Sequence, residues 1–369
     1  MDPVPGCGGL LSAAAVLARG AADGVFPGGV LAAVDLEAGD VRLSAAAGVL
    51  SHDPPAGRVG PPTIYDLASL TKLFTAAAIC LLEDEGAFAL EDPVASWVPT
   101  LPGVTVRHLL EHRSGLPAWQ PLYEAAWPGR GGPSVVEQAL AVEPAAAPGD
   151  RHEYSDIGFL VLGEVVRRAT GRPLDAWVQE RVLAGTGLSF RGTGAGPEAA
   201  AALLATGTLA PSEICPDRGL VCGEVMDRNA WTLGGRAPHA GVFGTAADVA
   251  GFAVAFAGGR FGAKRRDELF AAPAGGHVLG WDTVAKVGSS AGSLLSPASR
   301  GHLGFSGTSL WIDPDRGAAV VLLTNRTHPD RQHTAIRAFR PRLHDAVARD
   351  LDRLSQSAPP VSLKGNARD

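Results

Sequence analysis

Ser69 and Lys72 stand three residues apart at the head of the run Leu73-Phe74-Thr75-Ala76-Ala77-Ala78-Ile79-Cys80-Leu81-Leu82. In a helix that spacing puts both side chains on one face. A lysine among apolar residues is costly to keep charged, which predicts a lowered pKa and a neutral amine. An amine of that kind can take the proton of a serine and arm it to attack a carbonyl. The chain has only four lysines (Lys72, Lys264, Lys286, Lys364) against 28 arginines, so a lysine here is conspicuous. Ser69 also falls near a helix N-terminus, where backbone N–H groups favour developing negative charge. Ser-x-x-Lys alone is a short pattern that surface helices carry by chance, so its companions decide.

Three stretches downstream bear on it. Arg151-His152-Glu153-Tyr154-Ser155-Asp156 places one of only three tyrosines just ahead of a helix. A phenol beside an ammonium is drawn toward phenolate and can serve as general base or acid, although an ordinary half-buried tyrosine reads the same way. Gly301-His302-Leu303-Gly304-Phe305-Ser306-Gly307-Thr308 precedes a strand, and its glycines would let a substrate approach the backbone. There the Phe305 N–H can pair with that of Ser69 as an oxyanion hole; a glycine-rich turn with a solvent histidine is the competing reading. Leu109-Leu110-Glu111-His112-Arg113-Ser114-Gly115-Leu116-Pro117 reads as a structural helix stop. The loop from 119 to 134, with Trp119, Tyr123 and Trp127, has the composition of a binding wall. Asp227, Asn229 and His239 either line the site or brace a loop, and the residues do not choose.

The elements that must hold these groups can be read from periodicity. Pro27–Leu36 and Val41–Val49 read as an antiparallel hairpin, and a Pro/Gly-rich loop delivers the chain to the Ser69 helix, which Gly86 ends. Ser155 and Asp156 cap a helix over 157–168, 193–219 reads as irregular, and a helix begins near Ala246. Strands return at 277–284, 308–312 and 318–324, the last two joined by Asp313-Pro314-Asp315-Arg316-Gly317, and a helix over 331–354 closes the fold. Strands at both ends with helices between imply an α/β (α+β) protein: a sheet domain from 1–75 and 240–354, an inserted helical domain from 76–239 and a polar tail from 355–369.

With 46% hydrophobic and 19% charged residues the chain is globular, and its net charge of −6 and lack of basic stripes exclude nucleic-acid binding. The apolar run of Gly9–Ala18 lacks a basic flank and is too short to span a bilayer; an amphipathic helix and a cytoplasmic protein are expected. Cys7, Cys80, Cys215 and Cys222 show no metal spacing; Cys215 and Cys222 could bridge, but thiols are expected. No metal or cofactor is called for, and the partner is a small molecule or short peptide.

In order and spacing these motifs resemble those of the β-lactamase and penicillin-binding-protein-like serine hydrolases, especially class C β-lactamases and their esterase and D-amino-acid peptidase relatives. The resemblance runs from about Pro27 to about Ala346. It implies Ser69 as nucleophile, Lys72 as its partner, Tyr154 as general base or acid, and His302 with Gly304 as the third motif. Two positions depart. Asp156 stands where the β-lactamases carry Asn, and a carboxylate can only accept hydrogen bonds; it can instead pair with Lys72 and favour the charged lysine. His302 replaces a fixed lysine charge with a ring mostly neutral at pH 7. Both disfavour penicillin-type substrates, so an esterase- or peptidase-like acyl-enzyme hydrolase is expected. The alternatives are a β-lactamase or D,D-carboxypeptidase, and a binding or sensor module with little turnover. A rival motif, Gly288-Ser289-Ser290-Ala291-Gly292, matches a nucleophile elbow, but residues 293–299 do not read as the helix that an elbow requires.

Overall fold

A computed structural model describes residues 12–194 and 196–357. The chain opens with α1 (Ala13–Ala22), capped by Ser12, and passes into the hairpin β1 (Gly28–Asp35) and β2 (Val41–Gly48). After β3 (Tyr65–Asp66) come α2 (Thr71–Asp84), α3 (Val106–Leu110), α4 (Tyr123–Ala126), α5 (Val135–Leu140), α6 (Asp156–Thr170) and α7 (Leu174–Trp177). Then β4 (Ser189–Phe190), α8 (Gly196–Ala205), the hairpin β5 (Glu213–Cys215) and β6 (Gly219–Val221), α9 (Arg228–Thr232) and β7 (Val242–Gly244) lead to α10 (Ala246–Ala257) and α11 (Ala263–Ala271). Strands β8 (His277–Val278), β9 (Trp281–Thr283), β10 (Arg300–Leu303), β11 (Ser309–Asp313) and β12 (Ala318–Thr324) precede α12 (Ile336–Ser357).

The first and last strands pair side by side inside one antiparallel sheet, ordered β2-β1-β12-β11-β10-β9-β8. Both of these strands are buried over nearly their whole length because helices cover both faces. Alternation assigns the faces: Leu31, Ala33, Val320 and Leu322 pack on α1 and α12, while Val30, Ala32, Val321 and Leu323 face the larger core that holds α2 and α10. This bears out the expected mixed fold, an antiparallel sheet between helices.

Local expectations fare unevenly. The β1–β2 and β11–β12 hairpins, the capped α6 with left-handed Gly171 at its end, and α10 form as read. The 193–219 stretch is not irregular among the described residues; it carries α8 and the β5–β6 hairpin, whose pairing an Ala/Gly/Pro-rich composition hides. The 277–284 strand is two short strands folded at Leu279 (φ 49°) and Gly280 (φ 82°). The closing helix starts at Ile336 and runs to Ser357; residues 358–369, and the Cys7 and N-terminal readings up to residue 11, lie outside the described residues. Cys80, Cys215 and Cys222 are free, buried thiols.

Candidate active site

Ser69 sits on a 3₁₀ turn, Ala68–Leu70, that feeds directly into α2, rather than within the α-helix itself. The turn is held from several sides. Asp66 Oδ1 accepts the Ala68 N–H at 2.8 Å and its Oδ2 the Met226 N–H at 2.8 Å. Leu67 N–H donates to the Val242 carbonyl at 3.0 Å, and Thr71 Oγ1 accepts from the Val242 N–H at 3.2 Å. Ala68 is left-handed (φ 49°), a conformation an L-residue adopts only when its surroundings impose it. Strand, sharp turn and helix thus push the Ser69 hydroxyl out of the core that buries its neighbours Ala68 and Leu70.

One turn on, Lys72 is wholly buried, and its Nζ donates to Ser69 Oγ at 3.1 Å. The same Nζ lies 2.6 Å from Asp156 Oδ1, 4.7 Å from the Tyr154 ring centroid and 5.4 Å from that of Phe159. The neutral amine expected from burial is therefore corrected. Desolvation is the largest influence on Lys72 and pulls its pKa down, but the Asp156 carboxylate and Tyr154 outweigh it and leave the lysine above its ordinary value. The ion pair foreseen for Asp156 decides the outcome. Tyr154 is also raised, by burial first; Lys72 draws it back, and hydrogen bonds to Lys72 and Ser69 favour its anion. Ser69 Oγ accepts from the ammonium, so its own proton is free to go to the Tyr154 oxygen.

The opposite wall is β10. His302 is buried, its Nδ1 is 2.8 Å from the Leu303 carbonyl, and burial drops its pKa to about 3. The ring is neutral at pH 7, lies 5.8 Å from that of Tyr154, and its Nε2 has no hydrogen-bond partner among the described residues. Gly304 is where the strand crosses beneath the serine turn: a Cβ there would stand 1.9 Å from Thr308 Oγ1 and 2.7 Å from the Leu67 carbonyl oxygen. Thr308 Oγ1 donates to that same Leu67 carbonyl at 3.1 Å, and Ser306 Oγ to the Asp66 carbonyl at 2.8 Å. Phe305, 47% exposed, occupies the turn after β10, its ring under the Arg326 guanidinium at 4.4 Å.

Trp119 (47% exposed) and Tyr123 form a rim with Trp127 and Trp231, and the rim is joined to the site because Asp156 N–H donates to the Ala118 carbonyl at 2.9 Å. Asn229 braces this rim: buried, it accepts the Tyr123 N–H at 2.8 Å and donates to the Gln120 carbonyl at 3.0 Å. Asp227 and His239 lie on the Lys72 side. His239 Nε2 is 3.0 Å from Asp227 Oδ1, and the His239 carbonyl accepts from Lys72 Nζ at 3.5 Å. Burial would raise Asp227, yet His239, the Ala230 N–H and Lys72 hold it down at about 2. Asp156, Asp227 and His239 bring possible ligand atoms within 4.8 Å of one another, which corrects the expectation of no such cluster; the Lys72 ammonium already supplies the cation there. The Gly288–Gly292 segment is separated from β9 by the loop 284–287 and is followed by turns rather than a helix, so the elbow is not formed.

Sequence reasoning missed His112 and His277, which flank Tyr154, and Phe159, which stacks behind His112. The His112 ring lies 4.5 Å from Tyr154 and 5.3 Å from Phe159, and His277 lies 5.5 Å from Tyr154. The helix stop read over 109–117 does end α3, but its histidine turns inward; only its place between the Ser69 and Tyr154 motifs hinted at that.

A buried lysine one turn from a serine, an adjoining tyrosine and a glycine-bearing strand, here inside the sheet between β11 and β9, define on this fold a serine hydrolase. The chain belongs to the Beta-lactamase family, whose model matches residues 13–341. It is 29% identical over 324 residues to a putative D-alanyl-D-alanine carboxypeptidase of Escherichia coli K12, an alignment covering 76% of this chain and 72% of that protein. Among solved structures, EstCE1, a hydrolase with promiscuous acyltransferase activity, superposes with a TM-score of 0.64 at 20% identity, covering 90% of this chain and 96% of its own. A Mycobacterium bovis β-lactamase gives 0.59 at 23% identity, covering 90% and 99%. At those identities the structures speak for the fold.

Proposed function

We propose that the protein hydrolyses an uncharged ester or amide through an acyl-enzyme on Ser69. The observation that carries this is the single cluster formed by Ser69 Oγ, Lys72 Nζ and the Tyr154 phenol, with Lys72 wholly buried. Substrate enters beside Trp119 and Tyr123. As Oγ attacks the carbonyl, its proton passes to the Tyr154 oxygen, while the Lys72 ammonium, anchored on Asp156, stabilises the phenolate that must first exist. The oxyanion rests on the N–H groups of Ser69 and Phe305. Collapse expels the leaving group with the proton Tyr154 holds, and Tyr154 then takes a proton from the water that releases the acyl group.

A neutral His302 supports the choice of uncharged substrate, because the ring offers no fixed charge to a carboxylate and the arginine of the same strand, Arg300, is buried with its guanidinium spent on the Leu269, Ser299 and Ala272 carbonyls. The likeness to putative D-alanyl-D-alanine carboxypeptidases favours a second reading, cleavage of a D-alanyl peptide.

Fluorophosphonate labelling followed by peptide mapping tests the assignment. The label belongs on the peptide holding Ser69, and Ser69→Ala abolishes it. Release of p-nitrophenol from a short-chain ester should continue beyond one equivalent per chain. Release that stops at one equivalent would mean a binding module, and label on any other serine sinks the mechanism.

A further inference from the structure

We infer that His112 is a positioning residue that clamps Tyr154 in its proton-transfer pose through a ring nitrogen and a main-chain carbonyl. The inference rests on Tyr154 being the proton carrier proposed above.

The two residues flanking Tyr154 both donate their backbone N–H to this one histidine. Glu153 N–H goes to the His112 carbonyl at 2.8 Å, and Ser155 N–H to His112 Nδ1 at 2.9 Å. Between these anchors the imidazole packs against the phenol, with ring centroids 4.5 Å apart. Its other neighbours are Phe159, at 5.3 Å, and His277, edge-on at 4.7 Å. A side chain gripped before, behind and across its ring has little freedom to swing away from Ser69.

The backbone is shaped for this task. His112 is one of only three non-glycine residues with positive φ (56°) among the described residues, and Ala68, just ahead of the nucleophile, is another. In that left-handed turn the carbonyl and the ring of a single residue both face the 153–155 segment. The residues just beyond His112 extend the cradle: Ser155 Oγ donates to the Pro117 carbonyl at 2.7 Å and Asp156 N–H to the Ala118 carbonyl at 2.9 Å. The clamp therefore sets Asp156, and through it Lys72, along with Tyr154.

Accepting the Ser155 N–H at Nδ1 requires that nitrogen to be unprotonated, so the ring proton sits on Nε2. Burial, with His277, Lys72 and His302 nearby, keeps the ring neutral. Among the described residues the buried Nε2 has no hydrogen-bond partner, so the ring acts here through its Nδ1 acceptor and its face rather than through a second hydrogen bond.

Three variants separate this from a plain packing role. His112→Asn keeps an acceptor near the Nδ1 position and tolerates the left-handed backbone; His112→Gln places its amide near Nε2; His112→Leu has no acceptor. With p-nitrophenyl acetate, the Asn variant should keep kcat within about threefold of wild type. The Gln and Leu variants should lose on the order of 10- to 100-fold in kcat, as a misplacement of about 1 Å can cost, with KM little changed and the alkaline limb of the pH profile displaced. Folded Gln or Leu variants with wild-type kcat and an unmoved limb overturn the proposal. If those two do not fold, ¹⁵N NMR of the wild-type imidazoles decides, with His112 assigned by its absence in His112→Asn. An unprotonated, hydrogen-bonded Nδ1 between pH 6 and 8 is expected, and a protonated Nδ1 overturns the clamp. Absence of turnover in the wild type itself would instead count against the hydrolase reading.

Discussion

The Lys72 ammonium lies 2.6 Å from the Asp156 carboxylate, and that contact tips a buried lysine to its charged form beside Ser69. Burial first and the carboxylate second raise Tyr154, and the carboxylate with Tyr154 lifts Lys72 against its own burial, so at neutral pH the resting site holds protons that catalysis must displace. A base with a raised pKa gives a rate that climbs with pH until that pKa is reached. The kcat/KM profile should therefore rise on the alkaline side of neutrality.

Asp156→Asn removes the main influence that lifts Lys72 and a lesser one that adds to burial in lifting Tyr154, so both fall and the rising limb moves to lower pH. Activity at pH 7 should increase over wild type, by about tenfold for each unit the limb moves. A pH series of kcat/KM for the two proteins checks the direction; an unmoved limb would show that Asp156 does not govern the base.

Gly304→Ala tests the crossing of β10 beneath the serine turn. Its Cβ would meet Thr308 Oγ1 at 1.9 Å and the Leu67 carbonyl at 2.7 Å, so strand and turn must part. Because Leu67 leads into the nucleophile turn, kcat should fall by roughly 10²-fold. A melting temperature within a few degrees of wild type would show that the loss is local.

Asn229→Ala strips the rim of its brace. The Tyr123 N–H and the Gln120 carbonyl lose their partner in a buried setting, at a cost of about 1–3 kcal/mol each if water does not replace it. With the Trp119–Trp127 rim loosened, KM should rise several-fold while the esterase kcat holds. Steady-state kinetics and denaturant unfolding read the two effects.

Stability should drop on mild acidification. Burial holds His302 at about 3 and His328 and His344 at about 4, and depresses His112 and His277 as well. Such a ring contributes stability above the unfolded value of 6.5, and loses it as pH falls toward the folded value. Asp66 and Asp282, lifted by burial to about 6 and 7, act in the opposite sense: their contribution is full below 3.8 and is lost as pH rises through those values. Five rings outweigh two carboxyls, so between pH 6.5 and 4 the unfolded chain binds more protons. Each net proton costs about 1.4 kcal/mol per pH unit. Melting temperatures measured at pH 7, 6 and 5 should decline steadily.

Much of the fold was legible because its signals are local. The hairpin turns at 37–40 and 313–317, the Ser155 cap and the strand-length apolar runs each report on a few neighbouring residues. The β5–β6 hairpin and α8 escaped because small residues and prolines carry little periodicity. The fold at Leu279 and Gly280 was hidden inside an apolar run that a straight strand would share.

By itself, the sequence determined that a serine and a lysine share one face and that a tyrosine and a glycine-bearing strand come after them in order, because helical spacing and turn chemistry are properties of neighbouring residues. Only the tertiary structure decided the charge on that lysine. Burial pulled its pKa one way and a carboxylate 84 positions along the chain pulled it the other, and which prevails depends on a distance of 2.6 Å that no local pattern encodes. The inward turn of His112 is of the same kind: its partners at 153–155 come into reach only once the core that holds α3 against α6 has packed.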